Sequence, residues 1–377
     1  MVLHSYYSGY SYSYHLKSKR NYKIQMKILF ITPNFSGGGA EKNMLNTINQ
    51  LNGSVFDIHL IICSNKSTYV QQLNKTIKLY CLKKSNVKSA LFSIFHHIHV
   101  IKPDIIFSSA LHLSTPILLY KKIVRAKFKK ITRIPTLPSN KLGQKNLKTV
   151  LLKCMNNKLI NFSTFVIAQT DQMKDEIIEY YGTDKNKVVV INNIVDTDTI
   201  LKLSTEEVKL PFGYRYIASG SLYSVKGFDL LIKAFAEHIV SFPTDKLLII
   251  GKETIERGYK SYLESLITEL RLSENVSLLG HQSNPYKYYK NADVFVLSSL
   301  KEGFPNVVLE NMVVGTPVLI TDCIDFTQII NSNIGIIVKR GSVSELVDGL
   351  KNIRSYQKYQ INIDNFDYNK WFKEISS

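Results

Sequence analysis

Apolar residues along this chain come in short unbroken runs, and between the runs they recur at helical spacing. The run "KILFIT" (27–32) is followed by the loop "PNFSGGG" and then by Met44, Leu45, Ile48 and Leu51, which predicts a buried strand, a glycine-rich turn and an amphipathic helix. The series restarts beyond residue 190. There "YRYIAS" (214–219) precedes a helix from Gly227 with Phe228, Leu231, Ile232, Phe235 and Ile239 on one face, and "KLLIIG" (246–251), "VSLLG" (276–280), "DVFVLSS" (293–299) and "PVLIT" (317–321) follow as further strands. Strands alternating with helices predict parallel sheets with crossover helices, an α/β fold. The restart predicts two Rossmann-like domains, 26–190 and 191–350, hinged near "INNIVD" (191–196), with 351–377 a helical tail packing back toward the first domain.

Composition agrees with two cores. The chain has 377 residues, 45% of them hydrophobic, more than a single core commonly serves. Cys63, Cys81, Cys154 and Cys323 are scattered, which points away from a disulfide framework or a zinc site and toward a reducing cytoplasm. No apolar run approaches the roughly 18 to 20 residues that span a bilayer. Residues 1–25, rich in Tyr and Ser, show no helical period and no partner strand; they are expected to be disordered or artificial, with Met26 the more natural start.

The net charge of +18 is unevenly placed. Residues 26–190 hold 24 basic against 8 acidic residues, a net +16, whereas 191–350 hold 15 against 19, a net −4. Between Asp104 and Asp171 no acid occurs, while Lys121, Lys122, Arg125, Lys127, Lys129, Lys130, Arg133, Lys141, Lys145, Lys148, Lys153 and Lys158 accumulate. Such a face seeks an anionic surface, either nucleic acid or anionic lipid.

Three loops carry candidate chemistry. "SGGGAEK" (36–42) ends a strand and opens a helix, so Gly38 and Gly39 let a phosphate approach free N–H groups at the positive end of the helix dipole. In "SGSLYSVKGFDLL" (219–231) a second small-residue loop opens a helix, and Lys226 beside that helix start is unfavourable unless an anion such as a diphosphate sits between them. The third is "KEGFPNVVLEN" (301–311), with glutamates eight apart. Pro305 suits a first helical turn, so Glu310 projects from the helix, Glu302 precedes the turn, and both are expected to border one pocket floored by the backbone of Gly303 and Phe304.

Together these stretches resemble the retaining glycosyltransferases of family 4, a GT-B family with members in capsule, lipopolysaccharide O-antigen and glycan assembly. The resemblance covers residues 26 to about 350 and is carried by "GGGAEK", "INNIVD", "GSLYSVKG", "LLIIG" and "NADVFVLSSLKEGFPNVVLENMVVGTPVLITD". It implies two Rossmann-like domains with parallel sheets facing across a cleft. It also implies a nucleotide-diphosphate sugar donor, with UDP as the expected nucleotide, held by Gly38, Gly39, Gly220, Ser221, Lys226, Gly251, Gly303, Phe304, Asn306 and Glu310. Glu302 and Lys226 take the catalytic roles, and Glu310 binds ribose. On the acceptor side the expected residues are Glu41, His112 and Arg133. Ser221 stands where the family often has an arginine, so Lys226, Arg215 or Arg257 must compensate the diphosphate. "TDCIDFTQII" (321–330) departs from the family's Pro-Ser-Gly-Pro-x-Glu loop, and "RIPTLPSN" (133–140) lacks a histidine that related enzymes often show.

The implied reaction is transfer with retention at the anomeric carbon onto a lipid-linked or oligosaccharide acceptor, on the inner face of the cytoplasmic membrane. No cofactor or metal is expected, because Lys226 and two helix N-termini can compensate the leaving diphosphate. The triplet Asp196-Thr197-Asp198 lies in the hinge and is not read as a metal motif. A nucleotide-sugar epimerase of the same fold is the alternative within the class, but it has no need for a basic first domain. A basic nucleic-acid-binding protein is the alternative outside it; the sequence shows no recognised binding motif, and no nucleic acid partner is expected.

Overall fold

A computed structural model of the chain describes residues 25–65, 68–141, 157–253, 256–327, 329–361 and 363–375. Most of the N-terminal extension and the lysines at 145, 148 and 153 therefore lie outside the described residues.

Seven strands form the first sheet: β1 (Met26–Thr32), β2 (Phe56–Ile62), β3 (Lys78–Cys81), β4 (Ile105–Ser109), β5 (Lys129–Arg133), β6 (Phe165–Ala168) and β7 (Val188–Val190), in the order β3-β2-β1-β4-β5-β6-β7. Six more form the second: β8 (Arg215–Ser219), β9 (Lys246–Ile250), β10 (Val276–Gly280), β11 (Val294–Leu297), β12 (Val318–Thr321) and β13 (Gly335–Val338), in the order β10-β9-β8-β11-β12-β13. Every pairing is parallel. In each sheet the strand order reverses beside the first strand of its domain, and ligands of open α/β sheets collect at the carboxyl ends of strands at such a switch point. The loops after β1 and β8, the two glycine-rich loops, stand at those places.

Helices cover both faces of the first sheet. Val87–Ile101 and Leu111–Ile123 bury Ile94, Ile98, Leu113 and Ile117 against one face, and Gly39–Gln50 buries Met44, Leu45 and Ile48 against the other. The C-terminal helix Tyr368–Glu374 also joins that second face: Tyr368 and Phe372 are fully buried among Phe30, Phe56 and Phe107. Gln50 fastens it, donating from Nε2 to the Phe366 carbonyl at 2.8 Å and accepting from the Tyr368 N–H at 3.2 Å. The chain thus crosses between domains near 191–196 and again before Tyr368.

The basic stretch of the first domain is not one solvated face. Lys130 is completely buried and donates to Ser108 Oγ (2.7 Å), the Ile131 carbonyl (2.6 Å) and Thr132 Oγ1 (3.2 Å). Burial pushes its amine well below the ordinary lysine value, with Lys121 adding to the effect. Arg133 is buried as well. Both sit in a strand covered on both faces, so neither can meet a lipid or nucleic-acid surface; among the described residues of this stretch the exposed cations are Lys122, Arg125, Lys127 and Lys158.

Candidate active site

Helix Gly39–Gln50 starts at Gly38 with no side chain capping its first N–H groups. Glu41 folds back over Gly38, close enough that a Cβ on that glycine would overlap its carboxylate. Burial raises the Glu41 pKa, opposed by a hydrogen bond from its own backbone. A carboxylate of this chain thus lies beside the helix start that the sequence assigns to a phosphate.

Across the cleft, β8 runs into Gly220 and Ser221, a short turn Ser224–Lys226, and helix Phe228–His238. Gly227 separates turn from helix with φ +63°, and a Cβ there would overlap the Ser298 carbonyl oxygen, so only glycine serves. The helix begins one residue later than its apolar pattern predicts, and Lys226 ends the turn instead of opening the helix. Lys226 passes over Gly220, whose missing side chain leaves the room: a Cβ would stand 3.4 Å from Lys226 Cε. Its ammonium donates to Glu302 Oε1 at 2.5 Å, and Ser299 Oγ donates to the same oxygen at 2.7 Å. Burial alone would lower the Lys226 pKa; the Glu302 carboxylate more than offsets it, and the net shift is upward. Lys226 is therefore a fixed cation, held by Glu302 beneath the loop after β8.

Glu310, in helix Asn306–Val313, occupies a different compartment. It is buried, in a pocket with Lys42, Asn46, Asp196, Tyr286 and Asn306. Burial raises its pKa to about 7 and Lys42 opposes the rise; Lys42 itself is lowered by burial, against the pull of Glu310 and Asp196. Glu302 is not among the residues lining this pocket, so in this closed arrangement the two glutamates face neighbouring parts of the cleft. Gly303 lies against Pro135 of the first domain, where a Cβ would overlap the Pro135 carbonyl oxygen, and Phe304 is buried against Phe326 with ring centroids 5.4 Å apart. In this arrangement the Gly303–Phe304 backbone is a seam between the compartments.

The Glu310 shift has a measurable consequence. Its native pKa of about 7 exceeds the ordinary glutamate value of 4.5, so between these values the native state holds a proton that the unfolded state has lost. Stability falls as pH rises through that window. Glu310→Gln should melt with the wild type near pH 4 and above it at pH 8, by on the order of 3 kcal/mol, while binding nucleotide more weakly. Parallel melting curves of the two proteins from pH 4 to 8 would remove the buried ionisation.

A hydrogen-bond relay ties the domains together. Arg133 donates to Tyr368 Oη at 3.2 Å and to Asn193 Oδ1. Asn193 Nδ2 donates to Asn306 Oδ1 and to the Phe304 carbonyl at 3.3 Å, and Asn306 Nδ2 donates to the Gly39 carbonyl at 3.1 Å. The relay joins β5, the hinge, the second glutamate helix and the first glycine loop. Arg133 thus lies in the hinge interior, away from an open acceptor surface. His112 is exposed in the first turn of Leu111–Ile123, just after Ala110, whose φ of +104° is unusual for a residue with a side chain. Gly251 packs on the Gly220 carbonyl, which a Cβ would overlap. Of the cations considered in place of the family arginine at Ser221, Arg215 is excluded: it starts β8, at the end away from the cleft, and pairs with Asp293 at 3.0 Å. Arg257 is exposed, next to Glu256, which accepts from the Ser224 N–H at 2.8 Å. Asp196 caps helix Thr197–Ser204 through the Thr199 N–H, which gives the Asp-Thr-Asp triplet a structural role. Among the described residues no group of three or more His, Cys, Asp or Glu is placed to hold a metal ion.

Two family models divide the chain along these domains. "Glycosyltransferase Family 4" matches residues 37–199, including the first glycine loop, and "Glycosyl transferases group 1" matches 211–369, including Lys226, Glu302 and Glu310. The chain belongs to the family 4, group 1 glycosyltransferases. An uncharacterized glycosyltransferase of Methanocaldococcus jannaschii is 31% identical over 62% of this chain, an alignment spanning only 59% of that relative's length. The N-acetylgalactosamine-N,N'-diacetylbacillosaminyl-diphospho-undecaprenol 4-alpha-N-acetylgalactosaminyltransferase of Campylobacter jejuni is 24% identical over 84% of this chain and 87% of its own. Anabaena HepE in complex with UDP-glucose superposes with a TM-score of 0.70 at 18% identity, covering 88% of this chain and 90% of that one. The structural likeness makes the fold GT-B, and the two family models make this chain a glycosyltransferase. Sequence reasoning missed Lys42 and Asn193 as cleft residues of this glycosyltransferase, although both stand inside its motifs, "GGGAEK" and "INNIVD".

Proposed function

We propose that this glycosyltransferase moves a sugar from a UDP-sugar, with retention of anomeric configuration, onto a lipid-linked glycan acceptor at the inner face of the cytoplasmic membrane. The observation that carries the reading is the Lys226–Glu302 pair under the glycine loop after β8, opposite the uncapped start of Gly39–Gln50. A donor diphosphate placed between them meets Lys226 and free N–H groups, and Glu41 swings away from Gly38 to admit it. Leaving-group charge is then compensated by groups already in position. Glu310 and Lys42 flank the ribose, and Glu302 turns from Lys226 toward the sugar. The UDP-glucose bound in HepE and the lipid-diphosphate acceptor in the name of the Campylobacter relative support the donor and acceptor classes.

The membrane side of the proposal rests on charge. The first domain carries the +16 of residues 26–190 against −4 in 191–350, and each Lys or Arg near an anionic leaflet contributes about 1 kcal/mol, so a few exposed contacts suffice for reversible recruitment. No helix among the described residues is long and apolar enough to cross a membrane. The function is tested by nucleotide release from a panel of nucleotide sugars, with proton NMR of the product from the preferred one. Release of UDP with a retained anomeric configuration is expected. Turnover confined to non-uridine donors, inversion, or interconversion of the donor without an acceptor would replace the reading, the last in favour of an epimerase.

A further inference from the structure

Exposed large apolar side chains are a poor use of surface unless something covers them. In the second domain Leu201, Phe212, Val240 and Tyr262 are exposed on separate segments of the chain. In the first domain they gather on two adjacent helices. Phe92 (86% exposed) and Val100 (63%) lie on the solvent side of Val87–Ile101, and Ile123 (71%) with Leu119 lies on that of Leu111–Ile123. Both helices cover the same sheet face, so their outer sides point the same way. The stacked rings of Phe95 and Tyr120, centroids 4.6 Å apart, bridge them. Phe92 and Phe95 are one helical turn apart, as are Tyr120 and Ile123, which joins these four residues into one apolar patch; Val100 lies beyond exposed His96 and His99 on the same helix. At its edge Lys122 lies 4.7 Å from the ring of half-exposed Phe162.

The rim has one sign. From residue 87 to 127 the chain carries six basic residues, Lys88, Lys102, Lys121, Lys122, Arg125 and Lys127, and one acid, Asp104, whose carboxylate accepts the Lys27 N–H at 2.8 Å. Two copies pressed together on this face would oppose like-charged rims. An anionic bilayer matches both features: its headgroups attract the rim and its acyl boundary accepts the apolar centre, as for helices lying in a membrane interface.

We propose that the paired outer faces of helices Val87–Ile101 and Leu111–Ile123 are an insertion surface for an anionic lipid bilayer, with Phe92, Leu119 and Ile123 entering the acyl boundary. This deepens the membrane-side reading above and rests on it. It moves the weight of the contact from charge alone to apolar insertion, and it places that contact on residues 87–123, outside most of the acid-free stretch.

The test is co-sedimentation with vesicles of phosphatidylglycerol and phosphatidylethanolamine at low salt and at about 0.5 M salt, where exposed charges are screened. The wild type should bind at low salt and keep most of its binding at high salt. Phe92→Ser with Ile123→Ser, both at exposed positions, should lose tenfold or more at high salt with nucleotide binding unchanged. In Phe92→Trp, emission from the introduced indole should shift to the blue on adding vesicles; Trp371→Phe in the same protein removes the only native tryptophan. Equal high-salt binding by wild type and double variant, no vesicle binding by the wild type, or a dimer that the double substitution dissolves would each overturn the proposal. Donor hydrolysis, measured in detergent-free solution, is unaffected by any of these outcomes, so failure here and failure of the donor reading are distinguishable.

Discussion

Lys226→Ala is expected to lower turnover by about 10²- to 10³-fold, the loss that follows removal of one preorganised group stabilising transition-state charge. Lys226 is the largely buried cation at the loop after β8, and its ammonium is oriented by Glu302 at 2.5 Å. Ser221 supplies no positive charge beside it, and Arg215 is engaged at the far end of its strand. The substitution also strands the Glu302 carboxylate without its cation. Steady-state rates with the preferred donor, together with nucleotide affinity, separate the two losses: kcat should fall more than nucleotide affinity. A folded variant that retains more than about a tenth of wild-type activity would assign the charge compensation to another group, with Arg257 the first to examine.

Gly303→Ala should cost about 10²-fold in kcat, the scale of a displacement near 1 Å at a reacting centre, with little loss of thermal stability. Gly303 is not among the positive-φ glycines, so alanine meets no backbone strain. What it meets is the Pro135 carbonyl oxygen of the opposite domain, a backbone atom that cannot rotate aside. The closed seam must then open, drawing Asn306 from Gly39 and separating Lys226 from the first glycine loop. Small-angle scattering should report a larger radius for the variant. Nucleotide affinity should fall less than kcat, because Lys226 and Glu310 stay together in the second domain while Lys42 and the N–H groups at Gly39 move away. Wild-type kcat in Gly303→Ala would show that the seam is not part of the turnover cycle.

Much of this arrangement was legible because its signals are local. Apolar runs ending in glycine loops located β1, β8, β9, β10 and the strands around "EGFPNVVLE" to within a residue or two, since parallel strands buried on both faces read as continuous apolar runs. The glutamate spacing likewise located the second glutamate on its helix. What escaped depended on the other domain. Nothing within "EGFPN" announces that Pro135 will lie on Gly303, or that Asn193 will link Arg133 to Asn306, because those contacts join residues far apart in the chain. Charge was the least legible property. Lys130 and Arg133 looked like members of a solvated basic face, yet "KKITR" is an interior strand in which Lys130 to Arg133 are buried; apolar residues do not alternate along it, so the segment carried no period-2 strand signal. The exposed Phe92 and Ile123 hid in the opposite way, as apolar residues of amphipathic helices that face outward.

We propose that Lys226 and the uncapped start of helix Gly39–Gln50 compensate the departing diphosphate without a divalent ion. The most direct test is UDP release from the preferred UDP-sugar in the presence and absence of EDTA. The account predicts the same rate in both, and a loss of about 10²-fold or more in Lys226→Ala under either condition. Loss of activity in EDTA that magnesium or manganese restores would contradict it.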